Sequence, residues 1–379
     1  MTPHFDVAVI GGGIVGLAHA WMAARRKRRV VLLERTAVAE GASVRNFGMV
    51  WPIGQPAGEL HAVSMRSRDL WLELGGQGAV ELESCGSIHL AHRPDELAVH
   101  EEFCSLRTHE TRLMTPGEVT RATSLANPEG LLGGLWSPTE LRVNPRVASA
   151  RIAKWLAETQ GVECHFRTPV VGVDAGQVRA SDGREWRADR VIVCSGSDLR
   201  TLYPDVFADC GLALCKLQML KSVAQPVAAD AGPVPHLASG LTLRHYTAFR
   251  DCPSLTALQA RIADESSELD RYGIHVLTSQ FPNGEVILGD SHEYGDEIPP
   301  FDKTAIDDLI LRESKKVFRL DDWTISERWS GIYAKHPELP VFEFATDDGT
   351  LIFVGPGGAG MTMSFGLADR AWKHWEGES

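Results

Sequence analysis

The first residues of the chain carry the feature that most limits its possible folds. Residues 5–20, FDVAVIGGGIVGLAHA, join an apolar run, glycines spaced as G-x-G-x-x-G, and a segment with helical patterning. Gly11, Gly13 and Gly16 allow a tight turn and a close approach of the backbone to a pyrophosphate. Glu34 ends the next apolar run, where an acidic side chain accepts hydrogen bonds from a ribose. The pattern predicts a Rossmann-like dinucleotide site; a glycine turn without a ligand is the alternative.

A second glycine-dense unit lies near the carboxyl terminus. Residues 351–368, LIFVGPGGAGMTMSFGLA, again have the form of a buried strand, a glycine turn and a helix. The N–H groups at a helix start carry partial positive charge and have no partner inside the helix. Two such units predict either two nucleotides or one long cofactor that is held at both ends. A turn that serves only strand–helix packing is the alternative for the second unit.

Composition and charge exclude several classes of protein. The 379 residues suit two domains, and 44% hydrophobic with 23% charged residues is typical of a soluble globular protein. A net charge of −12 argues against nucleic acid as a partner, although a small anionic ligand needs only a local cluster. No apolar run approaches the ~20 residues of a membrane span. The seven cysteines are scattered without a C-x-x-C pair, so we expect no metal site, no disulfide framework and a cytoplasmic chain.

The middle of the chain predicts a discontinuous domain. Residues 191–194 form another buried apolar run that closes on Gly196 and predicts a return to the nucleotide-binding sheet. We therefore expect an α/β fold in which a Rossmann-like domain is interrupted by a second, α+β domain on a mostly antiparallel sheet. The first domain is predicted from residues 1–85, 145–215 and 325–379, and the second from 86–144 and 216–324.

The order of four motifs resembles one enzyme family. GGGIVG with its closing Glu34, GASVRNFGM at 41–49, VIVCSGSD at 191–198 and the carboxyl-terminal glycine unit follow the order of the D-amino-acid oxidase superfamily. That superfamily includes glycine oxidase and monomeric sarcosine oxidase, and the resemblance runs from residue 6 to about 372. It implies one FAD, with its ADP end at the first glycine unit and its isoalloxazine end at the second.

The resemblance also implies which residues bind the cofactor. Ala42 and Ser43 are placed at the pyrophosphate, and the backbone from Gly360 to Thr362 at the negative charge of a reduced flavin. Val170 and Cys194 are placed at the adenine end, with core packing as their alternative. The full predicted set is Gly11, Gly13, Ile14, Val15, Gly16, Glu34, Arg35, Ala42, Ser43, Arg45, Asn46, Phe47, Gly48, Met49, Val170, Cys194, Ser195, Gly196, Gly331, Gly357, Gly358, Ala359, Gly360, Met361 and Thr362.

Some sarcosine-oxidase relatives attach their flavin covalently to a cysteine near the carboxyl terminus or to a histidine near the amino-terminal motif. This chain has no cysteine after Cys252, and residues 41–49 contain no histidine. The resemblance therefore predicts non-covalent FAD.

The substrate is predicted from a departure from the family pattern. In glycine-oxidase-like members an arginine that clamps the substrate carboxylate follows a tryptophan-glycine segment, whereas here ERWSGIYAKHPELP places Tyr333 at that position. Residues 42–56, 215–222 and 241–249 resemble a branch associated with phosphonate breakdown. The resemblance implies oxidation of a small anionic amine such as 2-aminoethylphosphonate, with O2 as electron acceptor. Candidate pocket residues, each with core packing or a surface charge as its alternative, are Trp51, Gln55, Arg244, His245, Tyr246, Tyr333, Lys335 and His336.

Four alternatives stay open at this point. The enzyme could instead be an oxidase of glycine, sarcosine or a D-amino acid, or a dehydrogenase of another small amine. An NAD(P)-dependent dehydrogenase would explain the first glycine unit and leave the second unexplained. A flavin-dependent RNA-modifying or scaffold protein is a further alternative, and the acidic composition argues against RNA as its partner. A quinone or a carrier protein could replace O2.

Overall fold

The computed structural model describes residues 2–227 and 232–377. Its α-helices are α1 Ile14–Arg25, α2 Glu59–Gly76, α3 Pro94–Leu106, α4 Pro116–Ala122, α5 Pro145–Thr159, α6 Pro204–Ala208, α7 Leu255–Glu265, α8 Ser267–Arg271, α9 Thr304–Val317 and α10 Gly360–Trp375. Its strands are β1 His4–Ile10, β2 Val30–Leu33, β3 Met49–Val50, β4 Leu82–Ser84, β5 Ser87–Ala91, β6 Arg112–Met114, β7 Gly133–Ser137, β8 Leu141–Val143, β9 Glu163–His165, β10 Val170–Asp174, β11 Gln177–Ala180, β12 Glu185–Val193, β13 Ala213–Ser222, β14 His236–Ala238, β15 Leu277–Gln280, β16 Val286–Gly289, β17 Glu293–Gly295, β18 Ile325–Lys335, β19 Phe342–Ala345 and β20 Leu351–Val354.

The first sheet has a parallel centre. Strands β9, β2, β1, β12 and β20 lie side by side and run in the same direction, while β19 pairs antiparallel with β20 and the β10–β11 hairpin extends the start of β12. Along β1, alternate residues pack into different clusters, with Val7 and Val9 on one face and Ala8 and Ile10 on the other. Both faces are therefore buried, as expected for a parallel sheet covered by helices.

Large aromatic side chains fix the helices on one face of this sheet. The Trp21 ring of α1 and the Trp71 ring of α2 both meet the Phe365 ring of α10 edge to face, at centroid distances of 5.5 and 4.9 Å. All three side chains are essentially inaccessible to solvent. Edge-to-face packing adds to the large apolar area that these rings bury. Helices α1 and α10 are thereby fixed next to each other with their amino termini at the same edge of the sheet.

The second sheet is mostly antiparallel. Among the described residues it has nine strands in the order β17-β13-β16-β15-β14-β5-β7-β6, with β18 paired to β13, and β14 runs parallel to β5. A small third sheet joins β3, β8 and β4. The predicted fold class is confirmed. The domain boundaries stay a prediction: they place β18 in the first domain, whereas β18 pairs along its length with β13 in the second sheet.

The glycine units and the second sheet enclose the same space. The carboxyl ends of β1, β2 and β12 meet where α1 begins, and β18 brings residues 331–335 opposite the start of α10. No described helix combines the length and the apolar character that a membrane crossing requires.

Candidate functional site

A cavity of about 760 Å³ lies between the two glycine units and the second sheet. That volume is within the usual range for small-molecule and cofactor sites. Nearly all of the predicted cofactor and pocket residues line it. The predicted residues that do not line it are Gly16, Gly48 and Arg244.

The first glycine turn is shaped by close backbone contacts. Gly11 has φ +112°, and a Cβ atom there would lie 2.2 Å from the carbonyl oxygen of Cys194. A Cβ atom at Gly16 would lie 1.9 Å from the carbonyl oxygen of Gly11, so Gly16 serves the packing of α1 on the turn. The two glycines bring the start of α1 against the ends of β1 and β12.

Gly13 and Ser43 form one wall of the cavity at the start of α1. A Cβ atom at Gly13 would approach the Ser43 hydroxyl oxygen at 3.1 Å. The backbone N–H of Ile14 donates a hydrogen bond of 2.9 Å to that oxygen. The positive end of a helix dipole at this point favours an anionic group such as a pyrophosphate.

Glu34 is held rigidly at the end of β2. Its carboxylate accepts hydrogen bonds from the backbone N–H groups of Gly12 (2.7 Å) and Thr36 (2.9 Å) and from the Thr36 hydroxyl (2.7 Å). The residue is buried and lines the cavity. The neighbouring Arg35 forms an ion pair of 2.7 Å with Asp198. A carboxylate in this fixed position has lone pairs left for ribose hydroxyl groups.

Asn46 organises the loop before β3. Its side-chain amide donates to the carbonyl oxygens of Ala42 (2.9 Å) and Ser43 (3.0 Å), and its side-chain oxygen accepts from the N–H of Gly48 (2.8 Å). Gly48 has φ +73°, and a Cβ atom there would lie 2.0 Å from the carbonyl oxygen of Val143. Gly48 therefore packs the loop against β8, which explains why it does not line the cavity.

The second glycine turn faces β18. A Cβ atom at Gly358 would lie 3.4 Å from the Tyr333 hydroxyl, and α10 begins at Gly360. The Thr362 hydroxyl oxygen accepts a hydrogen bond of 2.9 Å from the backbone N–H of Trp51, the residue after β3, and so ties α10 to the end of that strand. The start of a second helix is thus directed at the cavity.

These features fit a long dinucleotide such as FAD. Two helix starts face one continuous cavity, and side chains at Gly13 or Gly358 would extend into it. The Ser195 hydroxyl is buried at the predicted adenine end and has no hydrogen-bond partner among the described residues. Unpaired buried polar groups are costly, and a bound ligand would satisfy this one.

At the end of the cavity away from the first glycine turn, the structure brings together polar groups that the sequence did not predict. His275, Asp290 and His292 line the cavity beside the predicted His245. The His245 and His275 rings stack at 3.9 Å, and His275 Nε2 lies 3.1 Å from Asp290 Oδ1. The sequence feature that could have identified Asp290 and His292 is the polar run of residues 290–292, which directly follows the buried strand β16.

Burial sets the protonation of this cluster. It lowers the pKa of His292 to about 4 and lowers the pKa values of His245 and His275 well below their usual range. It raises the pKa values of Asp290 and of the Tyr333 phenol well above their usual ranges. In each case the surroundings disfavour the charged form. The imidazoles are therefore neutral at physiological pH.

Other predicted pocket residues have separate roles in the structure. The Arg244 guanidinium points away from the cavity, because it donates to the Ile274 carbonyl oxygen (3.1 Å) and pairs with Asp270 (3.3 Å). His336 lies at the rim, where its Nδ1 accepts from the N–H groups of residues 338 and 339. The cavity is also lined by Trp51, Gln55, Tyr246, Tyr333 and Lys335; their part in substrate binding stays a prediction.

Comparisons with known proteins agree with this geometry. Residues 6–371 match the family described as DAO, FAD dependent oxidoreductase. A segment of 214 residues is 27% identical to glycine oxidase of Geobacillus kaustophilus (strain HTA426), covering 52% of this chain and 56% of that protein. A segment of 218 residues is 27% identical to the tRNA 5-methylaminomethyl-2-thiouridine biosynthesis bifunctional protein MnmC of Aeromonas salmonicida (strain A449), covering 52% of this chain and 31% of that protein. The matches span about half, or less, of the length of these relatives.

The fold comparison extends over the whole chain. The crystal structure of glycine oxidase from Geobacillus kaustophilus superposes with a TM-score of 0.75 at 18% identity, covering 100% of this chain and 96% of that one. At this identity the likeness establishes the fold. With the family match over residues 6–371, the chain belongs to the DAO family of FAD-dependent oxidoreductases, and FAD is its cofactor.

Proposed function

We propose that the enzyme oxidatively deaminates a small aminophosphonate, 2-aminoethylphosphonate or its N-methyl derivative. The products would be phosphonoacetaldehyde with ammonia or methylamine, and hydrogen peroxide from O2. When bound, FAD supplies the two-electron acceptor for oxidation of the amine to an imine. Water then hydrolyses the imine.

The cofactor residues keep their predicted roles in this proposal. Glu34 would bind the ribose, Ser43 and the start of α1 the pyrophosphate, and the start of α10 the flavin. Gly13 and Gly358 leave space where a side chain would enter the cavity. The residues that line the rest of the cavity would position the amine and exclude competing reactions.

The observation that carries the substrate class is the set of cations around the cavity. Among the described residues that line it, the arginines are Arg35 and Arg45. Arg35 pairs with Asp198, and Arg45 donates to the carbonyl oxygens of residues 40 and 330. Lys335 lines the cavity and forms no ion pair with any described residue. A planar carboxylate favours a bidentate arginine, and neither arginine is available for that role.

Several single donors suit a phosphonate better than they suit a carboxylate. A phosphonate is tetrahedral, offers three acceptor oxygens and carries up to two negative charges. Tyr333 and Lys335 lie two residues apart on β18, so their side chains are directed to the same face. Donors that approach from different directions can each bind a different oxygen. This arrangement supports an aminophosphonate over an ordinary α-amino acid.

Steady-state kinetics test the proposal. Peroxide formation is compared for 2-aminoethylphosphonate, its N-methyl form, β-alanine, glycine and sarcosine; β-alanine replaces only the phosphonate by a carboxylate. Tyr333→Phe and Lys335→Gln should each lower kcat/KM for the aminophosphonate by roughly ten- to a hundredfold, since one hydrogen bond to a charged group is worth about 1.5–3 kcal/mol. Lys154→Gln, on the exposed face of α5, is the matched control and should leave kcat/KM unchanged.

Two results would separate the parts of this proposal. More efficient turnover of glycine or sarcosine than of every aminophosphonate would contradict the substrate class. A phosphonate preference that survives both variants would leave the substrate class standing and remove Tyr333 and Lys335 from the anion site.

Oxidation of glycine, sarcosine or a D-amino acid is the second candidate, because one relative is a glycine oxidase. The same substrate comparison decides between the two. The name of another relative refers to tRNA, but a net charge of −12 disfavours an RNA partner for this chain.

A further inference from the structure

The histidine cluster at the substrate end of the cavity is assembled from three separate segments. His275, just before β15, and Asp290, just after β16, face each other across the two strands and exchange backbone hydrogen bonds of 3.3 and 2.8 Å. His292 follows two residues after Asp290, and His245 comes from the loop before α7. One ring nitrogen from each histidine lies within 4.8 Å of the other two.

The cluster contains buried polar atoms without aligned partners. His275 is 2% exposed and Asp290 is 5% exposed. Neither ring nitrogen of His275 nor Oδ1 of Asp290 has a hydrogen-bond partner among the described residues, although His275 Nε2 and Asp290 Oδ1 approach to 3.1 Å out of line. Leaving such atoms unpaired costs free energy, and a bound ion or ligand is one of the standard explanations.

The hydrogen bonding of His292 determines which of its nitrogens can act as a ligand. His292 Nδ1 lies 3.3 Å from the carbonyl oxygen of Gly273. A carbonyl oxygen only accepts, so Nδ1 carries the proton, and Nε2 of the neutral ring keeps its lone pair. Metal-binding histidines almost always donate their other ring N–H to a backbone carbonyl or a carboxylate. Gly273 would supply that contact for His292, and Asp290 lies where it would supply it for His275.

We propose that His245, His275 and His292 bind one divalent transition-metal ion of the zinc type through their ring nitrogens. Neutral imidazole is a preferred ligand of zinc, cobalt and nickel. Nitrogen ligands of a tetrahedral zinc ion lie about 3.4 Å apart, given Zn–N bonds of about 2.1 Å. The ring nitrogens here lie within 4.8 Å of one another, so each pair would have to approach by at most about 1.4 Å on binding. Three protein ligands leave a coordination position open toward the cavity. This site goes beyond the aminophosphonate proposal and does not depend on it.

The surrounding charges bear on the affinity for a cation. Arg244 and Lys335 both act electrostatically on His245 and His292. Arg244 is neutralised by its ion pair with Asp270. Lys335 would repel a metal ion. Burial favours the neutral form of Asp290, so Asp290 adds an attractive charge only if metal binding displaces its proton. The open position would then face a net positive environment, which favours an anionic ligand.

Metal retention by the FAD-loaded enzyme tests the site without any turnover. The enzyme is treated with a chelator, exposed to Zn2+, desalted and assayed for zinc and for flavin. Wild type should retain one zinc per chain. His275→Gln and His292→Gln should weaken zinc binding more than about 100-fold, and Asp290→Asn, which replaces the carboxylate acceptor by an uncharged amide, by about 10- to 100-fold. His100→Gln, at a buried histidine outside the cavity, should retain zinc like the wild type.

Flavin content and circular dichroism report whether each variant folds. If the variants at 275 and 292 do not fold, His245→Gln at the partly exposed position and the absorption bands of Co2+ bound to the wild type replace them. The proposal would be overturned if the wild type retained no more zinc than His245→Gln or any other folded variant of the three histidines. A wild type that gives no Co2+ bands would do the same.

Discussion

At the residue scale, Gly13 is the position where the cofactor and the fold make different demands. A Cβ atom there would meet only the Ser43 hydroxyl within 4 Å, so the polypeptide itself tolerates a side chain. The dinucleotide does not, because the backbone must approach the pyrophosphate closely. Gly13→Val should therefore give a folded protein that purifies with less than about a tenth of the wild-type flavin, a loss of at least 1.4 kcal/mol in binding. The flavin content is measured as flavin absorbance per chain after desalting.

Gly117→Val in α4 is the control for this variant. A Cβ atom there would meet the Arg121 side chain at 3.8 Å, and the position does not line the cavity. The control should keep the full flavin content. A Gly13→Val protein with a full complement of flavin would contradict the assignment of the ADP end.

At the element scale, α10 both directs its amino terminus at the cavity and packs against α2. A Cβ atom at Gly366 would lie 2.1 Å from the backbone carbonyl oxygen of Val63, and backbone atoms cannot move aside as a flexible side chain does. Gly366→Ala should separate the two helices and lower the free energy of unfolding by about 1–3 kcal/mol. The urea midpoint of the flavin-loaded protein measures this. Gly76→Ala, at the end of α2 with no atom within 4 Å of the added methyl group, should be neutral or slightly stabilising. Equal midpoints for the two variants would contradict the packing argument.

At the scale of the whole molecule, buried neutral histidines make the fold sensitive to acid. Burial lowers the pKa of His19 to about 3, against 6.5 for the exposed side chain of an unfolded chain. Between those values the unfolded chain binds a proton that the folded chain does not. The contribution of His19 to the free energy of unfolding is therefore fully present above its unfolded pKa of 6.5 and is lost as the pH falls toward 3.

His19→Leu should remove one part of this sensitivity. His19 lies in α1, between the rings of Phe353 and Trp375 at 4.4 and 5.6 Å, a site that accepts an apolar side chain. Between pH 7 and pH 5 the variant should lose about 2 kcal/mol less unfolding free energy than the wild type. Urea unfolding at both pH values, with the exposed His374→Gln as control, measures the difference. Equal losses in wild type and His19→Leu would contradict the argument.

The sequence by itself determined the two glycine units, the family and the cofactor. A strand, a glycine turn and a helix depend on local backbone geometry, so residues 5–20 and 351–368 carried that information without any long-range contact. The predicted residues Gly11, Gly13, Glu34, Ser43 and Gly358 all lie in or against the cavity walls for this reason. Non-covalent attachment of the flavin and the aminophosphonate substrate stay predictions.

Only the tertiary structure decided the composition of the substrate end. His275 and Asp290 face each other because β15 and β16 pair antiparallel, and no local period in the sequence connects them with His245. Arg244 and His245 are adjacent in sequence, yet one points to Asp270 and the other into the cavity, because the loop that carries them has neither the helical nor the strand period. Likewise β18 joined the second sheet through pairing with β13, more than a hundred residues earlier in the chain. Such contacts depend on which strands meet, and that follows from the packing of the whole chain.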